Sequence, residues 1–280
     1  MKFSATLLSA ALLTTSAIAS PLSERRSARN AARAAARTDR LSHPPYKPDT
    51  KELLNLNATT EEQYSSNWAG AVLIGSKYTS VSGEFTVPTP KLPSGASSGE
   101  QYCASAWVGI DGDTCSSAIL QTGVNFCIED GEVSYDAWYE WYPDYAYDFS
   151  GIQISSGDVI KLTVTASSKT SGSAVIENVT TGKTVTHKFT GVDDGDLCET
   201  NAEWIVEDFE SGGELVPFTN FGTVTFRNAE ATSGGETVGP SGSTIMDIKQ
   251  SGNVLTKSSA TSSSVTHWMI GNATLDELGM

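Results

Sequence analysis

Carboxylates set at two-residue intervals among aromatics are the groups in this chain best suited to chemistry. From Tyr135 to Tyr142 an extended backbone puts Asp136, Trp138, Glu140 and Tyr142 on one face and Tyr135, Ala137, Tyr139 and Trp141 on the other, because side chains alternate along a strand. By the same rule Trp107, Gly109 and Asp111 share a face. Glu203, Ile205, Glu207 and Phe209 share another, opposite Trp204, Val206 and Asp208. A face that mixes acids with aromatics suits a wet groove, since a buried charge needs a partner. Aromatics in a core with acids along solvated edges would give the same pattern, and spacing alone leaves both open. In a groove, such carboxyl groups can serve as general acid and base, or as a pair acting on a sugar.

Other hydrolytic machinery is missing. There is no His-Glu-x-x-His pair for zinc. Residues 95–99 have the Gly-x-Ser-x-Gly spacing of a nucleophile elbow, but no strand leads in and no helix leads out. His187 and His267 are expected at the surface, which leaves a Ser-His-Asp triad without its base. The paired Asp-Thr/Ser-Gly loops of pepsin-like enzymes are absent too, because Asp113 and Thr114 run into Cys115. What remains is carboxylate chemistry, with no metal and no cofactor.

The elements that must position these groups read as strands. From Tyr64 onward, short runs rich in Val, Ile, Thr, Tyr, Phe and Trp alternate with Gly, Ser, Asn and Asp. Strands are predicted at 68–74, 82–87, 105–111, 119–124, 135–142, 159–166 and 174–179. Others follow at 184–189, 202–209, 223–227, 244–248 and 265–270. No segment of the body has a helical period. About a dozen strands without crossover helices imply an all-β antiparallel sandwich of two sheets in one domain. Residues 88–99 form a Pro/Ser/Gly loop. Asn57, Asn178 and Asn272 each open an Asn-x-Thr glycosylation acceptor.

Ahead of the body stand two further segments. Lys2, the uncharged apolar run 3–17 and the small-x-small site Ala17-Ile18-Ala19 read as a signal peptide spanning 1–19. The run is shorter than the roughly 20 residues a membrane span needs, so the protein is expected to be secreted, with no membrane anchor. Residues 20–60 read as a basic propeptide, with Arg25, Arg29, Arg33 and Arg37 on one face of a helix that Pro44 and Pro45 end. The net charge of -15 hides a split, since residues 1–60 hold nine Lys/Arg against four acids. Residues 61–280 are left with nine basic and 29 acidic residues. Such a body argues against nucleic acid and suits work at low pH. Cys103, Cys115, Cys127 and Cys198 imply two disulfides, with three pairings possible.

At this point the chain becomes recognisable. The stretches 65–70 (SSNWAG), 106–112 (AWVGIDG), 118–123 (AILQTG), 138–143 (WYEWYP) and 201–208 (NAEWIVED) resemble the fungal glutamic peptidases, the eqolisins. The resemblance covers about residues 61–260. It implies a sandwich of two bent antiparallel sheets like that of concanavalin A-type lectins, with a catalytic Gln and Glu in the concave groove. The Gln falls on Gln121 and the Glu on Glu207. The family's substrate groove falls on Trp107, Asp111, Asp136, Trp138, Glu140 and Tyr142. The resemblance also implies the pairing Cys103–Cys127 and Cys115–Cys198. It departs after Thr266, where His267 to Met280 looks unrelated and puts the final strand in doubt. The 88–99 loop looks shorter than in members cut into two chains, so a single-chain product is expected.

The resemblance implies a secreted acid endopeptidase, insensitive to pepstatin, acting on protein and peptide substrates. It is expected to be monomeric, matured near Glu61 and inhibited by its own propeptide. Two rivals use the same sandwich: a glycoside hydrolase with Glu140 and Glu207 as its carboxyl pair, and a carbohydrate-binding module without catalysis. The first accounts for the aromatics and acids but gives Gln121 no particular role, and the second has no need of a basic propeptide.

Overall fold

Period-two segments of this length become strands because each buries at least one row of side chains, and the central ones bury both. In the computed structural model they assemble as two large sheets packed face to face. The structure describes residues 40–46 and 62–270. Among them, a nine-stranded sheet runs from edge to edge as Asn253–Val254, Thr244–Gln250, Trp68–Ile74, Asn201–Glu207, Tyr102–Ile110, Ile119–Glu129, Glu132–Tyr142 and Tyr147–Asp148. Glu62–Ser65 lies alongside Thr244–Gln250. An eight-stranded sheet runs Lys183–Phe189, Ser171–Asn178, Val159–Ser168, Tyr78–Thr86, Thr223–Ser233, Ser264–Met269 and Thr256–Ala260, with Glu236–Val238 beside Thr223–Ser233. Pairing is antiparallel except where Glu62–Ser65 runs parallel to Thr244–Gln250.

Alternation decides what faces what. Even-numbered residues of the central strands, among them Ala104, Ala106, Val108, Leu120, Val124, Phe126, Ala202, Trp204 and Val206, form the apolar layer between the sheets. Trp204 crosses that layer and donates its indole N–H to Ser82 O at 2.8 Å. Odd-numbered residues of these three strands point to the opposite face, where Trp107, Ile119 and Ile205 meet Trp68 and Trp138, even-numbered residues of the flanking strands, in a second cluster. The disulfides are Cys103–Cys127 and Cys115–Cys198, as the resemblance implies. They close segments of 24 and 83 residues.

Three expectations change. His267 is fully buried, on the core side of Ser264–Met269 with Val265. It meets Phe226 edge-on, and burial pushes its imidazole down to about 3. Alternation already paired it with Val265, and its residue type misled. His187 likewise is not free at the surface but stacks on Tyr139 with ring centroids 3.9 Å apart. Asn178 is buried, and its amide braces a turn by donating to Gln153 O and Asp158 Oδ2 and accepting from Thr181 N. Its sequon therefore offers no accessible amide. Asn57, Asn272, the signal-peptide run, the Arg-lined helix and the tail beyond Ile270 lie outside the described residues. The strand thought doubtful forms, as Ser264–Met269. Among the described residues, no helix is long and apolar enough to cross a membrane.

Candidate active site

Five neighbouring strands supply the face of the nine-stranded sheet turned away from the other sheet, through odd-numbered residues of the three central strands and even-numbered ones of Trp68–Ile74 and Glu132–Tyr142. Glu207 closes Asn201–Glu207, in register with Trp68 on one side and Ser105 on the other. Gln121 lies on Ile119–Glu129, in register with Gly109 and Glu140. Glycine is required where bulky rings cross this face. A Cβ on Gly123 would stand 2.5 Å from Trp107 Cβ, 2.6 Å from Ala106 O and 2.9 Å from Trp138 Cζ2, so only a bare backbone lets the Trp138 indole lie against it.

The Glu207 carboxylate is fully buried and held from several sides. Trp107 Nε1 donates to its Oε2 at 2.9 Å. Trp68 Nε1 and Asn67 Nδ2 donate to Oε1 at 3.3 and 3.4 Å. Burial pushes Glu207 up to about 7, against the downward pull of these donors. Glu140 is also fully buried and is pushed well above the usual carboxylate range by burial and then by the Glu207 charge. Hydrogen bonding distinguishes the two, since Glu207 accepts from Trp107, Trp68 and Asn67 whereas the bond that favours ionised Glu140 comes from the Ser42 backbone N–H.

A short stretch of the chain lies across this face. Arg40–Leu41 pairs antiparallel with Glu210–Ser211, which pairs in turn with Glu214–Leu215. The Arg40 guanidinium is buried over Trp138 and Phe209, at 5.4 and 6.0 Å, and reaches Asp148 Oδ1 at 3.3 Å. Asp136 and Glu140 add to the negative field around it. Ser42 then meets three site groups at once. Its hydroxyl donates to Glu207 Oε2, its carbonyl oxygen accepts from Gln121 Nε2 at 3.5 Å, and its N–H faces both Glu140 oxygens at 3.3 Å. Beyond it, His43 Nε2 lies 2.9 Å from Glu210 Oε2, and Tyr46 N donates to Asn67 Oδ1 at 2.7 Å.

The predicted site residues therefore divide. Gln121, Glu207 and Glu140 converge on Ser42. Trp107 holds Glu207. Trp138 lies beneath Arg40 and donates to Ser105 Oγ at 3.0 Å. Asp136 lies in the field of Arg40, and Tyr142 meets the His43 ring at 5.8 Å. Asp111 is not among them. It sits one residue past the end of Tyr102–Ile110, at φ 69°, and its carboxylate accepts N–H bonds from Cys198, Glu199, Thr200 and Asn201 at 2.7–3.2 Å. Sequence reasoning assigned nothing to Asn67 and Trp68, although both lie in the SSNWAG stretch it singled out. It also passed over Arg40 and Ser42, whose partners Asp148, Gln121 and Glu207 lie 79 to 165 positions away in the chain.

Comparison with known proteins agrees with this arrangement. The profile of the peptidase A4 family matches residues 66–268. Aspergillopepsin-2 of Aspergillus niger is 64% identical over 281 residues, covering 95% of this chain and 99% of that protein. The crystal structure of scytalido-glutamic peptidase with a transition state analog inhibitor superposes with a TM-score of 0.67 at 45% identity, over 73% of this chain and 98% of that one. SCP-B, an eqolisin peptidase in complex with the tripeptide Ala-Ile-His, gives 0.64 at 43% identity, again over 73% and 98%. Neither carbohydrate reading is favoured by these relatives.

Proposed function

Because the chain belongs to the peptidase A4 family and is a glutamic-type endopeptidase acting on peptides, we propose that Gln121 and Glu207 carry its reaction. The observation that supports this assignment is their convergence on Ser42, where an extended peptide already meets both side chains. Ionised Glu207 takes a proton from a water molecule, whose oxygen attacks the scissile carbonyl carbon. The Gln121 amide N–H donates to the oxygen that becomes negative in the tetrahedral intermediate. Glu207 then passes its proton to the leaving nitrogen, the C–N bond breaks, and acid and amine products leave. Gln121 keeps its donor at any pH, which a charged donor such as His would not guarantee.

Residues 40–46 support a second part of the reading, that the propeptide inhibits the enzyme. Arg40 satisfies the acids of the groove, and Ser42 sets its hydroxyl on the carboxylate that would otherwise activate water. The enzyme we infer is secreted as a 20–60 propeptide followed by a catalytic domain from about Glu61. It is monomeric and insensitive to pepstatin, since the aspartate pair that pepstatin addresses is missing from the sequence. Trp107, Trp138, Glu140, Asp136 and Tyr142 line its peptide groove, and Asp111 supports it from behind.

The decisive assay uses purified mature protein at acid pH on casein and on a β-glucan, with and without pepstatin. Proteolysis that pepstatin leaves intact, with no sugar released, is expected. Gln121→Ala should lower kcat by about 100- to 1,000-fold, the loss of one oxyanion donor, and Glu207→Gln should abolish turnover. Full activity in folded Glu207→Gln would refute the assignment.

A further inference from the structure

Asn201–Glu207 turns two glutamates toward the groove, and the reaction above uses one. The other, Glu203, is fully buried, and neither of its carboxyl oxygens has a hydrogen-bond partner among the described residues. It stands in a cross-sheet row with Gly109 on the adjacent strand and Gln121 on the next. The point a Cβ on Gly109 would occupy lies 2.8 Å from Trp107 Cζ3, 2.9 Å from Glu203 Oε1 and 3.4 Å from Gln121 Cβ. The bare glycine thus makes room for the Trp107 ring and lets side chains of the two flanking strands approach each other beside it. Gln121 shows the matching defect, because its Nε2 is used by Ser42 O while its Oε1 is buried with no partner among the described residues.

One proton resolves both. An amide oxygen only accepts, and an ionised carboxylate only accepts, so the neutral carboxyl is the single form of Glu203 that can itself donate toward Gln121 Oε1. We propose that the neutral carboxyl of Glu203 donates its hydrogen to Gln121 Oε1, directly or through one bridging water, and so fixes which end of the Gln121 amide faces the reacting carbonyl. Burial, followed by the charges of Asp111 and Asp113 nearby, favours that neutral form. The two ends of an amide have nearly the same shape. A half-turn would put Oε1 where negative charge develops, replacing a donor by a repelling acceptor. The second lone pair of Oε1 stays available for the attacking water. Glu203 is therefore a positioning residue, and its role rests on the assignment of Gln121 and Glu207 given above.

Glu203→Met removes the donor while keeping length, and Glu203→Gln keeps an N–H that can donate to the same oxygen. On the mature enzyme with a peptide substrate, the Met variant should lose about 10- to 100-fold in kcat, with KM within about two-fold of wild type. The Gln variant should recover most of that loss. A merely structural residue would lower Tm in step with activity, whereas the Met variant should melt no lower than wild type, since an unpartnered buried carboxyl has been replaced by an apolar group. Wild-type kcat in Glu203→Met, or a Gln variant as slow as Met, would overturn the proposal. If the Met variant does not fold, a crystal structure of the mature enzyme at acid pH decides. Glu203 bonded to Gln121 Oε1, or sharing one water with it, supports the role, and a Glu203 bonded elsewhere ends it. Gln121→Ala and Glu207→Gln, assayed alongside, keep the two levels apart. Activity retained in those sinks the underlying assignment, while activity lost there but intact in Glu203→Met sinks only the positioning role.

Discussion

Replacing Trp107 by Phe removes the closest N–H on the Glu207 carboxylate, at 2.9 Å, and leaves the donors at 3.3 and 3.4 Å from Trp68 and Asn67. A hydrogen bond to a charged group contributes about 1.5–3 kcal/mol, and about 1.36 kcal/mol changes an ionisation equilibrium tenfold. Because these donors favour the ionised form, losing one makes Glu207 roughly ten- to a hundredfold harder to ionise. The proposed base must be ionised to act, so the acid limb of kcat/KM, which reports the free enzyme, should move upward by roughly one to two on the pH scale. On the alkaline side of the limb the rate should be nearly unchanged. Trp138→Phe is the control, since its indole donates to Ser105 Oγ and not to Glu207. A Trp107→Phe enzyme whose rate drops equally at every pH, with its limb unmoved, would refute the view that this indole tunes the base.

Stability should fall as pH rises. Glu207, Glu140, Glu203 and Asp208 all have folded-state values above the usual range, mainly through burial. A group raised on folding contributes fully below its unfolded value and loses that contribution as pH climbs through the folded one. For Glu207, moved from 4.5 to about 7, this amounts to about 3 kcal/mol lost by neutral pH. Thermal melts between acid and neutral pH should show a falling Tm, and a Tm that climbs would contradict the burial of these groups. Asp111→Asn sets an NH2 group against N–H donors that the carboxylate now accepts, and should cost about 3 kcal/mol or more in denaturant unfolding. Gly123→Ala forces a Cβ into Trp107 and the Ala106 carbonyl, so lower solubility or a Tm loss is expected, against no change if that strand can shift.

Much of the site was legible because alternation is a local rule. Asp136, Trp138, Glu140 and Tyr142 do share a face, and Glu203 and Glu207 do point the same way, since each group lies within one unbroken strand. Asp111 marks where the rule stops. Its backbone turns left-handed directly after Ile110, and a residue beyond the pleat no longer follows the parity of the strand before it. Alternation also could not say that the acid-and-aromatic face would be covered. That depended on Arg40 and Ser42, which lie in a stretch read only for its charge and prolines. Ser42 and Glu207 are 165 positions apart, and nothing local ties them together. The imidazole of His267 shows the opposite failure, where residue type was trusted over a pattern that had it right.

Asn201–Glu207 takes an interior place in its sheet, between Trp68–Ile74 and Tyr102–Ile110, although it is synthesised long after both. Glu207 follows its two indole partners by 139 and 100 positions. A chain leaving the ribosome therefore has a gap in the middle of its sheet until that strand arrives, and Glu207 is the last residue of the strand to do so. On the proposed assignment, a nascent chain that stops short of Glu207 lacks half of the pair that cuts, so the order of the strands delays activity until most of the sheet has been made.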